Sequence, residues 1–198
     1  MSAPAHVLAQ LRAAIGTPRI LPGRLPCGIP ALDGWLGGWP QPGITEVVGG
    51  VGTGRLALIL PGFARLTQQG RTVVVVDPLA QFHPPGAAGL RLDHLVLVRP
   101  PPDQAAWAAE QVARSGAVEA MMLLDAPPLR RAGVRLARAA EVGGMSVFLV
   151  SGTMEEDVPA ALRLVTQGWE GGAVGVHCRK SRDGRMEGRR LVRLGAAA

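Results

Sequence analysis

At 198 residues, with 47% apolar and 18% charged side chains, the chain suits one globular domain with a real core, and its composition is globular rather than that of a disordered chain. Its formal net charge of +6 and sequence pI of about 11.1 permit an anionic partner without naming one. No apolar run approaches the roughly 20 residues of a spanning helix, and no secretory pattern opens the sequence, so a cytoplasmic protein without membrane contact is expected.

Taken in chain order, the first element expected is a helix over Ala5–Ile15, with Val7, Leu8, Leu11, Ala14 and Ile15 as its apolar stripe. That stripe either packs on the chain's own core or docks on another protein. Residues 1–22 read as this helix plus a linker, and 23–198 as the core domain. From Ile20 to Pro42 the chain is rich in proline and glycine, an irregular stretch around one short helical turn near Pro30–Leu36. Strands are predicted at Ile44–Val48, Thr72–Val76, His94–Val98, Ala120–Leu124, Ser146–Val150, Ala173–His177 and Leu191–Leu194. Helices are predicted near Gly54–Gln69, Asp103–Ser115, Leu129–Val142 and Val158–Thr166. Asp103 and Asp157 sit where N-caps belong, and Gly70, Gly116 and Gly143 where helices stop. Short apolar strands alternating with helices define an α/β class, a mostly parallel sheet covered on both faces.

Between the strand ending at Val48 and the next helix lies V-V-G-G-V-G-T-G-R-L, residues 47–56. Gly49, Gly50, Gly52 and Gly54 keep the shape of a phosphate-cradling loop. The pattern G-x-x-x-x-G-K-S/T requires lysine at 55 and a hydroxyl at 56, where this chain has Arg55 and Leu56. Lysine reaches the β/γ-phosphates as a point charge and the hydroxyl holds Mg²⁺. Leucine cannot ligate a metal, and guanidinium does not replace ammonium conservatively. The chain has one lysine, Lys180, among 21 basic residues, so general drift toward arginine touches position 55 but leaves Leu56 unexplained.

The last two strands enclose C-R-K-S-R-D-G-R-M-E-G-R-R, residues 178–190, and Asp183-Gly184 signals a hairpin turn. Arg179, Lys180, Arg182, Arg185, Arg189, Arg190 and Arg193 stand against Asp183 and Glu187 in this tail. An antiparallel hairpin at one sheet edge follows. Its arginines either bind phosphates or an acidic partner, or shield the edge from pairing. Arg131, Arg135 and Arg138 recur at helical spacing with the same two readings, a solvated face or a contact face. Cys27 and Cys178 match no metal or redox spacing and read as buried free thiols. His83 reads as a surface loop residue, and Trp35 and Trp39 as core or lid. No metal site is expected.

Several segments together resemble the RecA core. Gly28-Ile29-Pro30-Ala31-Leu32-Asp33, Leu36-Gly37-Gly38 and Pro42-Gly43-Ile44-Thr45-Glu46-Val47 are similar to that family's approach to its phosphate loop. Val76-Asp77-Pro78, and Ala113 to Glu119 followed by Met121-Met122-Leu123-Leu124-Asp125, continue the likeness through roughly 5–195. It implies a RecA-like three-layer sandwich and gives Asp125 the place of the metal-supporting aspartate. A helix cap at a strand end is the other reading of Asp125. The family's water-orienting glutamate falls at Leu79, and its γ-phosphate-sensing Asn-Gln pair at Ser151-Gly152. With about twenty residues between Asp125 and Val147, the family's mobile DNA-binding loops have little room.

Among RecA-like proteins, the shortness and altered loop are most similar to the ImuA family, encoded with the polymerase homologue ImuB and an error-prone polymerase in damage-induced mutagenesis cassettes. The resemblance implies a non-enzymatic accessory protein of SOS mutagenesis and translesion synthesis. It would bind RecA recombinase, capping or inhibiting its filament, and an ImuB-type polymerase homologue. No cofactor is expected, although the loop glycines with Arg55 and Asp125 leave residual ATP binding open. Three further readings stay open: a nucleotide-binding RecA paralogue, a DNA-binding protein acting through the basic hairpin, and a cell-division inhibitor of the related SulA kind.

Overall fold

In the computed structural model the described residues are 23–87, 89–182 and 188–194. The expected N-terminal helix with Val7, Leu8, Leu11 and Ile15, the Asp183-Gly184 turn and Arg185 lie outside them.

Ten strands and four α-helices are described. β1 (Gly23–Leu25) pairs antiparallel with β2 (Trp39–Gln41) around α1 (Pro30–Leu36). β3 (Gly43–Val48) leads through the glycine loop into α2 (Arg55–Gln68). β4 (Val73–Val76), β5 (Leu95–Val98), α3 (Ala105–Ser115), β6 (Ala120–Leu124), α4 (Arg131–Gly143) and β7 (Ser146–Ser151) follow. The chain closes with β8 (Leu162–Glu170), β9 (Ala173–Ser181) and β10 (Gly188–Arg193). The main sheet has the order β10-β9-β8-β3-β7-β6-β4-β5. β5, β4, β6, β7, β3 and β8 run parallel, and β9 and β10 add antiparallel pairings at one end.

Strand side chains alternate between two cores, as the pleat requires. Val73, Val75, Met122, Leu124, Phe148 and Val150 point to one side, against Leu32 and Leu36 of α1 and Leu58, Ile59 and Phe63 of α2. Val74, Val76, Met121, Leu123, Val147 and Leu149 point to the other, against Ala105, Ala109 and Ala113 of α3 and Leu136, Ala139 and Ala140 of α4. Two helix layers thus flank one sheet, the RecA-like α/β sandwich expected.

Five expectations require correction. The stretch Val158–Thr166 is not a helix: β8 starts at Leu162, where pairing with both β3 and β9 overrides an amphipathic pattern. Asp157 therefore caps no helix. Asp103 lies in a 3₁₀ turn ahead of α3, whose N-cap is Gln104 without a side-chain cap bond. The left-handed stop of α4 is Gly144, one residue beyond Gly143. Nor is the stretch up to Pro42 a loose linker. Leu25, Cys27, Ile29, Trp35 and Trp39 are buried, and Trp39 meets Phe148 edge to face at 5.3 Å. Both cysteines are free and buried, and burial, with Asp33 close by, pushes the Cys27 thiol far up.

Candidate functional site

Gly49–Gly54 turns at the carboxyl end of β3, the position a parallel sheet reserves for ligands. Gly52 and Gly54 hold positive φ angles of 80° and 96°. A Cβ on Gly49 would lie 2.0 Å from Thr166 Oγ1, and one on Gly54 would lie 2.7 Å from Val174. The glycines answer to close contact with β8 and β9 as well as to turn geometry. Gly50 has more room, its Cβ meeting only Thr53 Cγ2 at 3.5 Å.

Two contacts pin the loop to β8 and a third ties β8 to the end of β3. Thr53 Oγ1 and Thr166 Oγ1 are 2.6 Å apart. Thr166 Oγ1 donates in turn to the Val48 carbonyl at 3.2 Å. Trp169 Nε1 donates to the Gly52 carbonyl at 3.1 Å. None of these β8 residues was predicted from the sequence. The signal that could have found them is Gly171-Gly172 after Glu170, a two-residue hairpin turn with φ of 55° and 76° joining β8 to β9.

Arg55, the first residue of α2, turns across the mouth of the loop toward Asp125 at the end of β6. It donates Nη1–H to Oδ1 at 2.7 Å and Nη2–H to Oδ2 at 3.0 Å. The arginine side chain is 7% exposed and the aspartate 19%. This two-point geometry belongs to guanidinium, and an ammonium cannot reproduce it. Asp125 has φ of 43°, and its amide extends the β6–β7 ladder by donating to the Val150 carbonyl. Its carboxylate therefore serves Arg55, not a helix cap. Leu56 is half-buried against the core beneath α2 and brings no oxygen. Around the pair opens a cleft of about 640 Å³, lined by Val51, Leu56, Gln81, Leu124 and Trp169 among others.

The other positions lie apart from this pair. Asp77 is fully buried and accepts the amides of Gln81 and Phe82, which shapes the turn carrying Leu79. Leu79 is 46% exposed. His83 is exposed.

A second polar cluster lies deeper. Glu46 on β3 is fully buried and faces Arg163 on β8, Oε2 to Nε 2.7 Å, as a charge contact without an aligned hydrogen bond. Glu46 Oε1 accepts the Glu155 amide at 2.6 Å, and Arg163 Nη2 donates to the carbonyls of Glu155, Glu156 and Val158. Glu155 Oε2 accepts the Leu129 amide at 2.6 Å. The segments after β6 and β7 are thereby tied to each other. Burial raises the Glu46 carboxyl above its ordinary value of 4.5, against the opposing pull of the Glu155 amide and Arg163.

On the basic tail, Arg179, Lys180, Arg182 and Arg189 are exposed. The Arg190 guanidinium stacks 5.3 Å from the Trp35 ring centroid, an intramolecular cation–π contact. Among the described residues no group of three or more His, Cys, Asp or Glu gathers as a metal cluster, and no helix is long and apolar enough to cross a membrane.

No family model matches the chain. It is similar to RecA of Acholeplasma laidlawii, 37% identical over 106 residues, which is 51% of this chain and 32% of that protein. To RecA of Bacillus licheniformis it is 35% identical over 104 residues, 50% of this chain and 30% of that one. To RecA of Francisella tularensis subsp. novicida it is 34% identical over 104 residues, with 50% and 29% covered. The matched segment spans about a third of the length of these relatives. With the sheet and glycine loop described above, these matches support a RecA-like protein, distantly homologous to RecA across about half of its own length.

Proposed function

We propose that this chain is a non-enzymatic RecA-like accessory protein of damage-induced mutagenesis, one that binds RecA recombinase and an ImuB-type polymerase homologue. The observation carrying this reading is the Arg55–Asp125 pair. In the RecA pattern these positions supply a lysine for the phosphates and a carboxylate that supports Mg²⁺. Here they neutralise each other across the mouth of the loop.

The donor set does not fit magnesium. Leu56 offers no oxygen, and both Asp125 oxygens accept hydrogen bonds from Arg55. No catalytic step is derived through the ion. Phosphoryl transfer depends on positioning and charge stabilisation, so loss of both anchors leaves the fold as scaffold. A chain that keeps the RecA-like surface without turnover can occupy a subunit's place in a filament and stop its growth. Pull-down of purified RecA and of the ImuB-type protein, each at micromolar concentration, tests the reading. Retention of either partner supports it, and retention of neither ends it.

The basic tail favours a second reading, DNA binding. Arg179, Lys180 and Arg189 are exposed cations on consecutive paired strands, with exposed Arg182 just past the end of β9, whereas Arg190 is engaged on Trp35. Under this reading, affinity for single-stranded DNA falls steeply with salt and drops in Arg179→Ala/Arg189→Ala. Salt-insensitive binding contradicts it.

A further inference from the structure

On the outer face of the α3–α4 layer, Arg131, Arg135, Arg138 and Val142 recur at i, i+4, i+7 and i+11, one exposed stripe along α4. Val142 is 62% exposed and Val134, on the flank of the stripe, 57%. On α3, Trp107 is 57% exposed. It stands one turn before Glu110 and two turns before Arg114, on the same seam. Glu110 lies between the helices, accepting from Arg114 Nη2 at 2.6 Å and from Arg135 Nε at 3.0 Å. One carboxylate thus serves two arginines, while Arg131 and Arg138 have no ion-pair partner among the described residues. The only acid within α4 is Glu141. At the N-terminal end the stripe meets a depression of about 720 Å³ lined by Leu129, Arg130, Arg131, Ala132, Val134 and Asp157.

We propose that this face docks an acidic amphipathic helix of a partner protein. Carboxylates spaced two turns apart on that helix pair with Arg131 and Arg138, which are themselves seven residues, about two helical turns, apart. Its apolar side chains cover Trp107, Val134 and Val142. Exposed tryptophan and arginine, interleaved with aliphatic groups, are the composition of the energetic centre of a protein interface. A nucleic-acid backbone matches the charge but gains nothing from the two valines. Arg55 and Asp125 take no part, so docking here does not depend on whether the phosphate loop holds nucleotide.

The test is fluorescence anisotropy on the full chain. The probe is a labelled helical peptide with Glu along one side and Leu at i, i+3, i+4 and i+7. A scrambled peptide of the same composition and a single-stranded oligonucleotide serve as competitors. The striped peptide is expected to bind more tightly than the scrambled one. Its affinity is expected to fall about tenfold or more in Arg131→Glu/Arg138→Glu, and again in Trp107→Ala. Arg189→Glu, on the distant hairpin, leaves it unchanged. All the substituted side chains are exposed, and an unchanged thermal midpoint verifies that each variant is folded. Equal binding of the two peptides, insensitivity to the α4 charge reversals, or displacement of the peptide by the oligonucleotide overturns the proposal.

Discussion

Arg55 and Asp125 are each nearly enclosed, so neither charge is well solvated without the other. Breaking such a pair leaves one charge stranded, which costs about 3–5 kcal/mol when burial is complete and less where solvent reaches the group. With Asp125 19% exposed, Arg55→Ala is expected to destabilise by about 2–4 kcal/mol in chemical denaturation. A double-mutant cycle with Asp125→Ala should give a coupling of about 1–3 kcal/mol; additive effects would mean that the two groups do not depend on each other. Glu46 yields a pH signature. Its folded carboxyl is raised above 4.5 by burial, so the folded state holds the proton more tightly than the unfolded chain does. That contribution to stability is fully present below 4.5 and is lost as pH rises through the folded value. The denaturation free energy of wild type minus that of Glu46→Gln should therefore decline with pH across this window. A flat difference would contradict the assignment.

Among the elements, α3 and α4 pack through a contact that admits no side chain. A Cβ on Gly143 would sit 2.0 Å from the Ala113 carbonyl oxygen. Gly143→Ala must push the helices apart and should cost about 1–3 kcal/mol, seen as a lower denaturation midpoint; an unchanged midpoint would show that the contact yields freely. Sequence placed Gly143 at the helix stop, where a glycine is expected for conformational freedom, but Gly144 performs that task and Gly143 answers to packing. Such a role comes from a neighbouring helix and has no local signature. β8 teaches the same lesson. Val158–Thr166 carries a helical pattern with Asp157 at its cap, yet β9 offers a ladder along Leu162–Glu170 and β3 a second one along Leu162–Val165. Thr166 and Trp169, which pin the loop, were missed for that reason. The strands at Val73–Val76 and Ala120–Leu124, by contrast, were legible because runs of apolar residues buried on both faces need no long-range partner to declare themselves.

For the whole molecule, the parallel sheet with helices on both faces follows from alternating strand and helix patterns, and the antiparallel end from a turn signal near the carboxyl terminus. The tight turn after β3 was legible through its glycines, two of which hold positive φ. The partner that Arg55 takes was not legible. Arg55 and Asp125 are seventy residues apart, and only the β3–β7–β6 order brings their side chains together. The relatives reach only half of this chain, so the loop's chemistry has to be measured directly. The decisive assay is inorganic phosphate release from ATP–Mg²⁺ by the purified chain, with and without RecA and single-stranded DNA. Release no faster than the partners alone is the predicted result. Steady release by the chain itself, abolished when Arg55 is replaced by alanine in a variant that still folds, would contradict the account.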